Sequence, residues 1–413
     1  MIDSEDLLQR FLGYVQIDTQ ADSHSESTPS TEKQWTLIRK LEGELRELGL
    51  ADVRVTEYGY VLASIPATSP KTTVPRLAFL AHVDTAEGCS GLAKPIVHRK
   101  YAGQKIVLPD DPSQTLSPED TPLLKGKIGE DIITASGKSL LGADDKSGVA
   151  IVMAAVRHLV KHPEIQHGPI RVCFNPDEEI GRGTEKLTLE ELGADFAYTL
   201  DAENLGEIDY ESFSADKAVV TIAGVAAHPG WAKDVMVNAL RLAADFVGAL
   251  PIAASPERTD KREGFVHPME VRGTPEVAKV TMLLRDFELD GLEAKRKIVH
   301  DAAAKVQKSE PRAKVEVSIT PQYRNMRYWL EKDFRPVEYA IEAVKRARLE
   351  PTSEAIRGGT DGSRLTERGL PTPNLFTGFH YVHSPREWVS LQDMAKGAEV
   401  VVEVAKLWAE RSR

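Results

Sequence analysis

Carboxylates and imidazoles gather in a few short stretches of this chain. In Asn175-Pro176-Asp177-Glu178-Glu179, three acids follow an apolar run, Val172 to Phe174, that reads as a buried strand. Pro176 lacks an N–H and ends the ladder. Like charges packed at a strand end repel one another and call for a cation. Four other segments place comparable groups just after apolar runs: His82 and Asp84, Asp144 and Asp145, Asp201, and the late pair His380 and His383. Mixed imidazole and carboxylate donors suit Zn²⁺. Two divalent ions bridged by one carboxylate can activate a water, with a free carboxylate as general base. Glu178 and Glu179 suit that division, and Asp84 can brace the His82 ring.

Each group alone has a plainer reading. His82 could be a structural hydrogen-bonded histidine. Asp144-Asp145 could cap a helix, a contribution of ~1 kcal/mol. Glu178-Glu179 could be a solvated turn. Their common placement at strand ends is what favours a metal site, because ligands of open α/β sheets bind beyond the carboxyl ends of the strands. Other chemistries fail. Ile132 occupies the place of the first P-loop glycine before Gly137-Lys138-Ser139. Gly181-Arg182-Gly183 lacks the third glycine of a dinucleotide fingerprint, and no Gly-x-Ser-x-Gly elbow occurs.

The elements that must position these groups alternate. Short strands are expected at Val53–Thr56, Tyr60–Ile65, Arg76–Leu80, Ile170–Phe174 and Phe196–Leu200. Helices are expected at 3–15, Glu32–Leu48 and Val149 to about Val160, with 86–131 irregular. This alternation predicts an α/β domain whose mixed, mostly parallel sheet is sandwiched by helices. After Ser212 the order becomes β-α-β-β-α-β, which predicts an inserted ferredoxin-like α+β domain. The expected organisation is 1–212 and 328–413 for the catalytic domain and 213–327 for the insert.

The 413 residues carry a net charge of −11, 41% hydrophobic and 28% charged residues, and two cysteines. No basic stripe points to nucleic acid. No apolar run spans a bilayer, the acidic N-terminus lacks a signal core, and a cytoplasmic protein is expected. A disulfide framework is not expected.

Five motifs resemble the peptidase T family of tripeptide aminopeptidases, within the di-zinc exopeptidase group that includes carboxypeptidase-, dipeptidase- and acylase-like members. They are Ala81-His82-Val83-Asp84-Thr85, Leu140 to Gly148, Asn175 to Gly183, Ala227-His228-Pro229-Gly230-Trp231, and Arg357 to Ser363. The resemblance implies two Zn²⁺ per subunit, with Asp144 bridging. His82 and Asp201 would hold one ion, and Glu179 and His383 the other. It implies Glu178 as general base, Asp84 orienting His82, and a cis peptide after Asp144. His228, Asn238, Arg285 and Arg357 would face the substrate. The implied activity is release of the N-terminal residue of a tripeptide through a metal-bridging hydroxide, with a lid and homodimer contact in the inserted domain. The alternatives are a related dipeptidase or N-acyl amino acid deacylase. Two stretches depart from the family pattern: Ala202-Glu203-Asn204, and the loop from His380 to Glu387. The resemblance keeps His383 as the ligand there, with His380 structural.

Overall fold

A computed structural model describes residues 1–412. The chain divides into two compact units. One comprises Met1–Tyr210, Tyr328–Glu354 and Thr360–Arg413; the other comprises Glu211–Arg327 and Ala355–Gly359.

The first unit is built on a seven-stranded sheet. Its strands lie in the order 51–55, 61–65, 170–175, 77–82, 196–202, 374–376, 208–209. The four strands from 170–175 to 374–376 are mutually parallel, and the outer pairings are antiparallel. Strand Leu77–His82 is buried along its whole length, as a central parallel strand must be when both faces are covered. Helices Ser4–Val15, Ala143–Lys161 and Leu391–Arg411 pack together, and Ala143–Lys161 also contacts the central strands. A second apolar cluster includes Leu62, Leu80 and Cys173 of the strands with Leu192 and Leu365 of the short helices Leu189–Leu192 and Asp361–Glu367. The sheet is thus covered on both faces, and its parallel strands deliver their carboxyl ends to one edge.

Two features differ from the periodicity. Helix Ala143–Lys161 is kinked at its start, where Asp144 and Asp145 are non-helical and the peptide between them is cis, so its regular part begins after Asp145, only a few residues before the expected Val149. Gly148 is required there: a Cβ would lie 2.5 Å from the Leu200 carbonyl oxygen, so helix and strand could not approach so closely. The stretch 86–131, expected to be irregular, contributes strand Ile96–His98 to a four-stranded antiparallel sheet, in the order 379–380, 388–390, 132–134, 96–98. Tyr101, Leu108, Leu116, Leu124 and Trp388 form the core beneath it. This small sheet carries the His383 loop.

The second unit has strands Ser214–Ala223, Phe265–Gly273, Val277–Asp286 and Lys314–Tyr323, with helices Ala239–Ala249 and Leu289–Ser309. All pairings are antiparallel, and in chain order the strands lie 2-3-1-4, the ferredoxin-like arrangement. Val220, Phe246, Met282 and Val299 are fully buried in its own core.

Candidate metal centre and acidic turn

His82 ends its strand, paired in register with Asn175 of the neighbouring strand. Asp201 lies at the far end of strand Phe196–Ala202. Parallel pairing therefore puts His82, the acidic turn after Asn175, and Asp201 at one edge, and the start of helix Ala143–Lys161 brings Asp144 to it.

Asp144 stands at the centre. One carboxylate oxygen lies 3.0 Å from His82 Nε2, and the other lies 3.3 Å from His383 Nε2. His82 Nε2 is also 3.8 Å from an Asp201 oxygen, and His383 Nε2 is 2.9 Å from a Glu179 oxygen. Donor atoms set ~2.0–2.1 Å from a shared tetrahedral ion are about 3.3 Å apart, so these spacings suit cation coordination. The five residues expected as ligands are together.

The ring of His82 is fixed. Its Nδ1–H donates to the Asp84 carbonyl at 3.1 Å, with the Asp84 carboxylate at 3.3 Å, which leaves Nε2 free to take a cation. Asp84 also caps the acidic turn: one oxygen accepts the Glu178 N–H at 3.0 Å and the other the Glu179 N–H at 3.1 Å. Asp177, in the left-handed region with φ 62°, is buried and accepts from Ser30 N, Ser30 Oγ and Gln34 Nε2. The polar stretch 21–31 is anchored to the turn in this way, through Ser30. Asp145 spends its carboxylate on the backbone amides of His82 and Gly148, at 3.2 and 3.1 Å, although it also lies near His82 and Asp201.

Charge argues the same way. Burial, with Asp201 nearby, pushes Glu178 well above the usual carboxylate range, and burial with Asp144 pushes Glu179 up to about 7. Burial raises Asp201 as well. Hydrogen bonds with Asp144 and Glu179 lift His383 to about 10. Burial disfavours a charged His82, yet its contacts with Asp144, Asp201 and Asp84 carry it well above its ordinary value. Burial would raise Asp144, but the two imidazoles outweigh it and hold Asp144 low. The protein groups by themselves thus demand positive charge at this place, and the nitrogen and oxygen donors fit a pair of divalent cations.

Sequence reasoning missed Glu387. Its buried carboxylate accepts the backbone N–H groups of Leu141, Gly142 and Asp144 at 2.8, 2.8 and 3.0 Å. Backbone partners leave no side-chain signature, so only its place four residues after His383 hinted at it. His380 is buried, faces the Trp388 ring at 4.3 Å and hydrogen-bonds with Glu203 at 3.1 Å.

The four residues expected near substrate lie in the second unit. His228 is exposed, beside Trp231. Asn238 caps helix Ala239–Ala249 through the Leu240 N–H. Arg285 is buried and donates to the Asp216 and Leu284 carbonyls and Gln322. Arg357 donates to the carbonyls of Lys261, Glu263 and Thr259.

The model for peptidase family M20/M25/M40 matches residues 140–407. The chain belongs to this family. Among curated M20 relatives, peptidase T of Geobacillus thermodenitrificans is 44% identical over 409 residues, 99% of each chain. Peptidase T of Exiguobacterium is 43% identical over 408 residues, covering 98% of this chain and 99% of the relative. Among solved structures, aminopeptidase PepT of Bacillus cereus superposes with a TM-score of 0.75 at 23% identity, covering 99% of both chains. A Staphylococcus aureus tripeptidase gives the same score and identity over 100% of both chains. A Bacillus subtilis M20 protein, described as a dinuclear metal-binding peptidase, gives 0.66 at 15% identity over 98% of both. The M20 fold is therefore shared along the whole chain. Among the described residues, no helix is long and apolar enough to cross a membrane.

Proposed function

We propose that this protein is an aminopeptidase that removes the N-terminal residue of tripeptides and uses two zinc ions. The observation that carries the reading is Asp144, whose two oxygens face two different histidines, each with its own second carboxylate. His82 and Asp201 would hold one ion, Glu179 and His383 the other, with Asp144 shared. When bound, such a pair supplies Lewis acidity that polarises a carbonyl and acidifies water.

Glu178 is assigned the proton transfers. Its carboxylate takes a proton from the attacking water as the new C–O bond forms. It returns the proton to the leaving amine as the C–N bond breaks. A carboxylate whose proton affinity is raised by burial suits both steps. Asp84 holds the turn that presents Glu178 and orients His82. His228, with its exposed imidazole, is assigned to the developing oxyanion. Asn238, Arg285 and Arg357 are assigned to the remaining peptide groups on the resemblance alone. Residues 213–327 are assigned as lid and homodimer contact, and the cytoplasm as the location.

Glu178→Ala is expected to retain its metal complement and lose turnover by ~10²–10⁴-fold. Near-normal turnover would refute the assignment. A screen of di-, tri- and tetrapeptides with free and blocked termini separates tripeptide cleavage from dipeptidase or deacylase activity. Dialysis against a chelator, then assay with and without added Zn²⁺, tests the metal requirement. Elution near 45.5 kDa, the mass of one chain, would exclude the homodimer.

A further inference from the structure

Glu387 is an unusual carboxylate for its surroundings. It is 1% exposed, and it accepts hydrogen bonds from three main-chain amides. Both oxygens are used: one takes the N–H groups of Leu141 and Gly142, the other that of Asp144. Satisfying three buried main-chain amides is one reason for an acid here.

Its placement offers a different reason. Leu141 to Asp144 is the turn that enters helix Ala143–Lys161 and presents the Asp144 carboxylate. His383 lies four residues before Glu387, in the loop between strands Phe379–His380 and Trp388–Ser390. His383 itself is held in the left-handed region, with φ 57°, and its side chain is about half exposed. From the other side the loop is tied by the Tyr381 hydroxyl to the Asp120 carbonyl at 2.9 Å and by Arg386 to Thr121 at 3.4 Å. Trp388, the next residue, is fully buried in the core of the small sheet and anchors the far side of Glu387. The carboxylate thus ties the His383 loop to the Asp144 turn through three amides. Its reach sets how far His383 Nε2 stands from Asp144 and Glu179.

We propose that Glu387 is a positioning residue: it fixes the separation of Asp144 and His383 and so tunes cation affinity at the His383–Glu179 side of the centre. The inference rests on the two-metal reading above. A glutamine at 387 keeps the size but not the pattern. Its amide oxygen can still accept from one side, while its NH₂ must face a backbone N–H, donor against donor. The His383 loop would then move away from the Asp144 turn, which the start of helix Ala143–Lys161 holds, while the His82–Asp201 side, on the central sheet, would keep its geometry.

The test is titration of metal-free wild type and Glu387→Gln with Zn²⁺ under chelator competition, and with Co²⁺ followed by its visible d–d absorption. Wild type is expected to bind two equivalents. Glu387→Gln is expected to bind the first like wild type and the second ~10–100-fold more weakly, the range for residues that orient metal ligands. The absorption of its second Co²⁺ should change. A merely structural role would lower the melting temperature of the metal-free protein and leave both affinities and the spectrum unchanged, and that result overturns the proposal. Equal weakening of both sites also overturns it. If Glu387→Gln does not fold, Glu387→Asp serves with the same readouts; it keeps the charge but falls one methylene short of the amides. A wild type that binds fewer than two equivalents defeats the two-metal reading instead, so the two failures are distinguishable.

Discussion

The Asp84 carboxylate meets three donors at once: the amides of Glu178 and Glu179 and the Nδ1 side of His82. Asn at this position would turn an NH₂ toward one of those donors. Asp84→Asn is expected to weaken metal binding by ~10–100-fold, measured by chelator competition, because the His82 ring keeps the main-chain carbonyl but loses the carboxylate beside Nδ1. The two late histidines separate at the same scale. His383→Ala is expected to lose one of two metal equivalents by elemental analysis, whereas His380→Ala, whose ring is committed to Glu203 and Trp388, should keep both. Retention of both equivalents by His383→Ala would remove that residue from the ligand set. These side chains were legible in the sequence because His and carboxylate types stand out at strand ends. Glu387 was not, since what it binds is main chain.

Parallel strands explain why the candidate groups could be brought together before any coordinates, although the division of ligands came from the family resemblance. Apolar runs ending at His82, Asn175 and Asp201 must end on the same edge if they pair in parallel, as they do. The excursion 86–131 resisted the same reading, since strands of two or three residues are too short to show alternation. Its partners are also distant in sequence: Ile96–His98 pairs with Ile132–Thr134, which pairs with Trp388–Ser390. The polar stretch 21–31 is anchored at Asp177 through Ser30, with Gln34 donating beside it. Asp177→Ala would strand the buried Ser30 and Gln34 donors, at a cost on the order of 3 kcal/mol. Urea denaturation should report that loss, and turnover should fall with it as the turn bearing Glu178 loosens. Unchanged stability would mean that the loop is not held through this carboxylate.

Across the whole molecule, 63 acidic residues against 52 basic ones leave a surplus of negative charge, and several acids are buried rather than solvated. Away from the metal centre a strong case is Asp209, on the edge strand Ile208–Asp209. Burial, with the Glu207 carboxyl beside it, pushes it up to about 8. In the unfolded chain the same group titrates near ~3.9. Between those values the folded protein keeps a proton that the unfolded chain has released, so raising the pH favours unfolding. The stabilising contribution is intact below ~4 and is lost as the pH rises through about 8. Asp393 adds the same sign over a narrower window: burial lifts it to about 6 despite its ion pair with Lys127. Urea midpoints measured with chelator present are therefore expected to fall from pH 5 to pH 9. Asp209→Asn keeps an acceptor for the Glu354 N–H, which now donates to Asp209 at 3.0 Å, but has no proton to lose. Its midpoint should fall less steeply than that of wild type across this range, with the difference growing from pH 6 to pH 9. Parallel curves for the two proteins would mean that Asp209 is ionised in the folded state, and the pH dependence would then have to come from other buried acids.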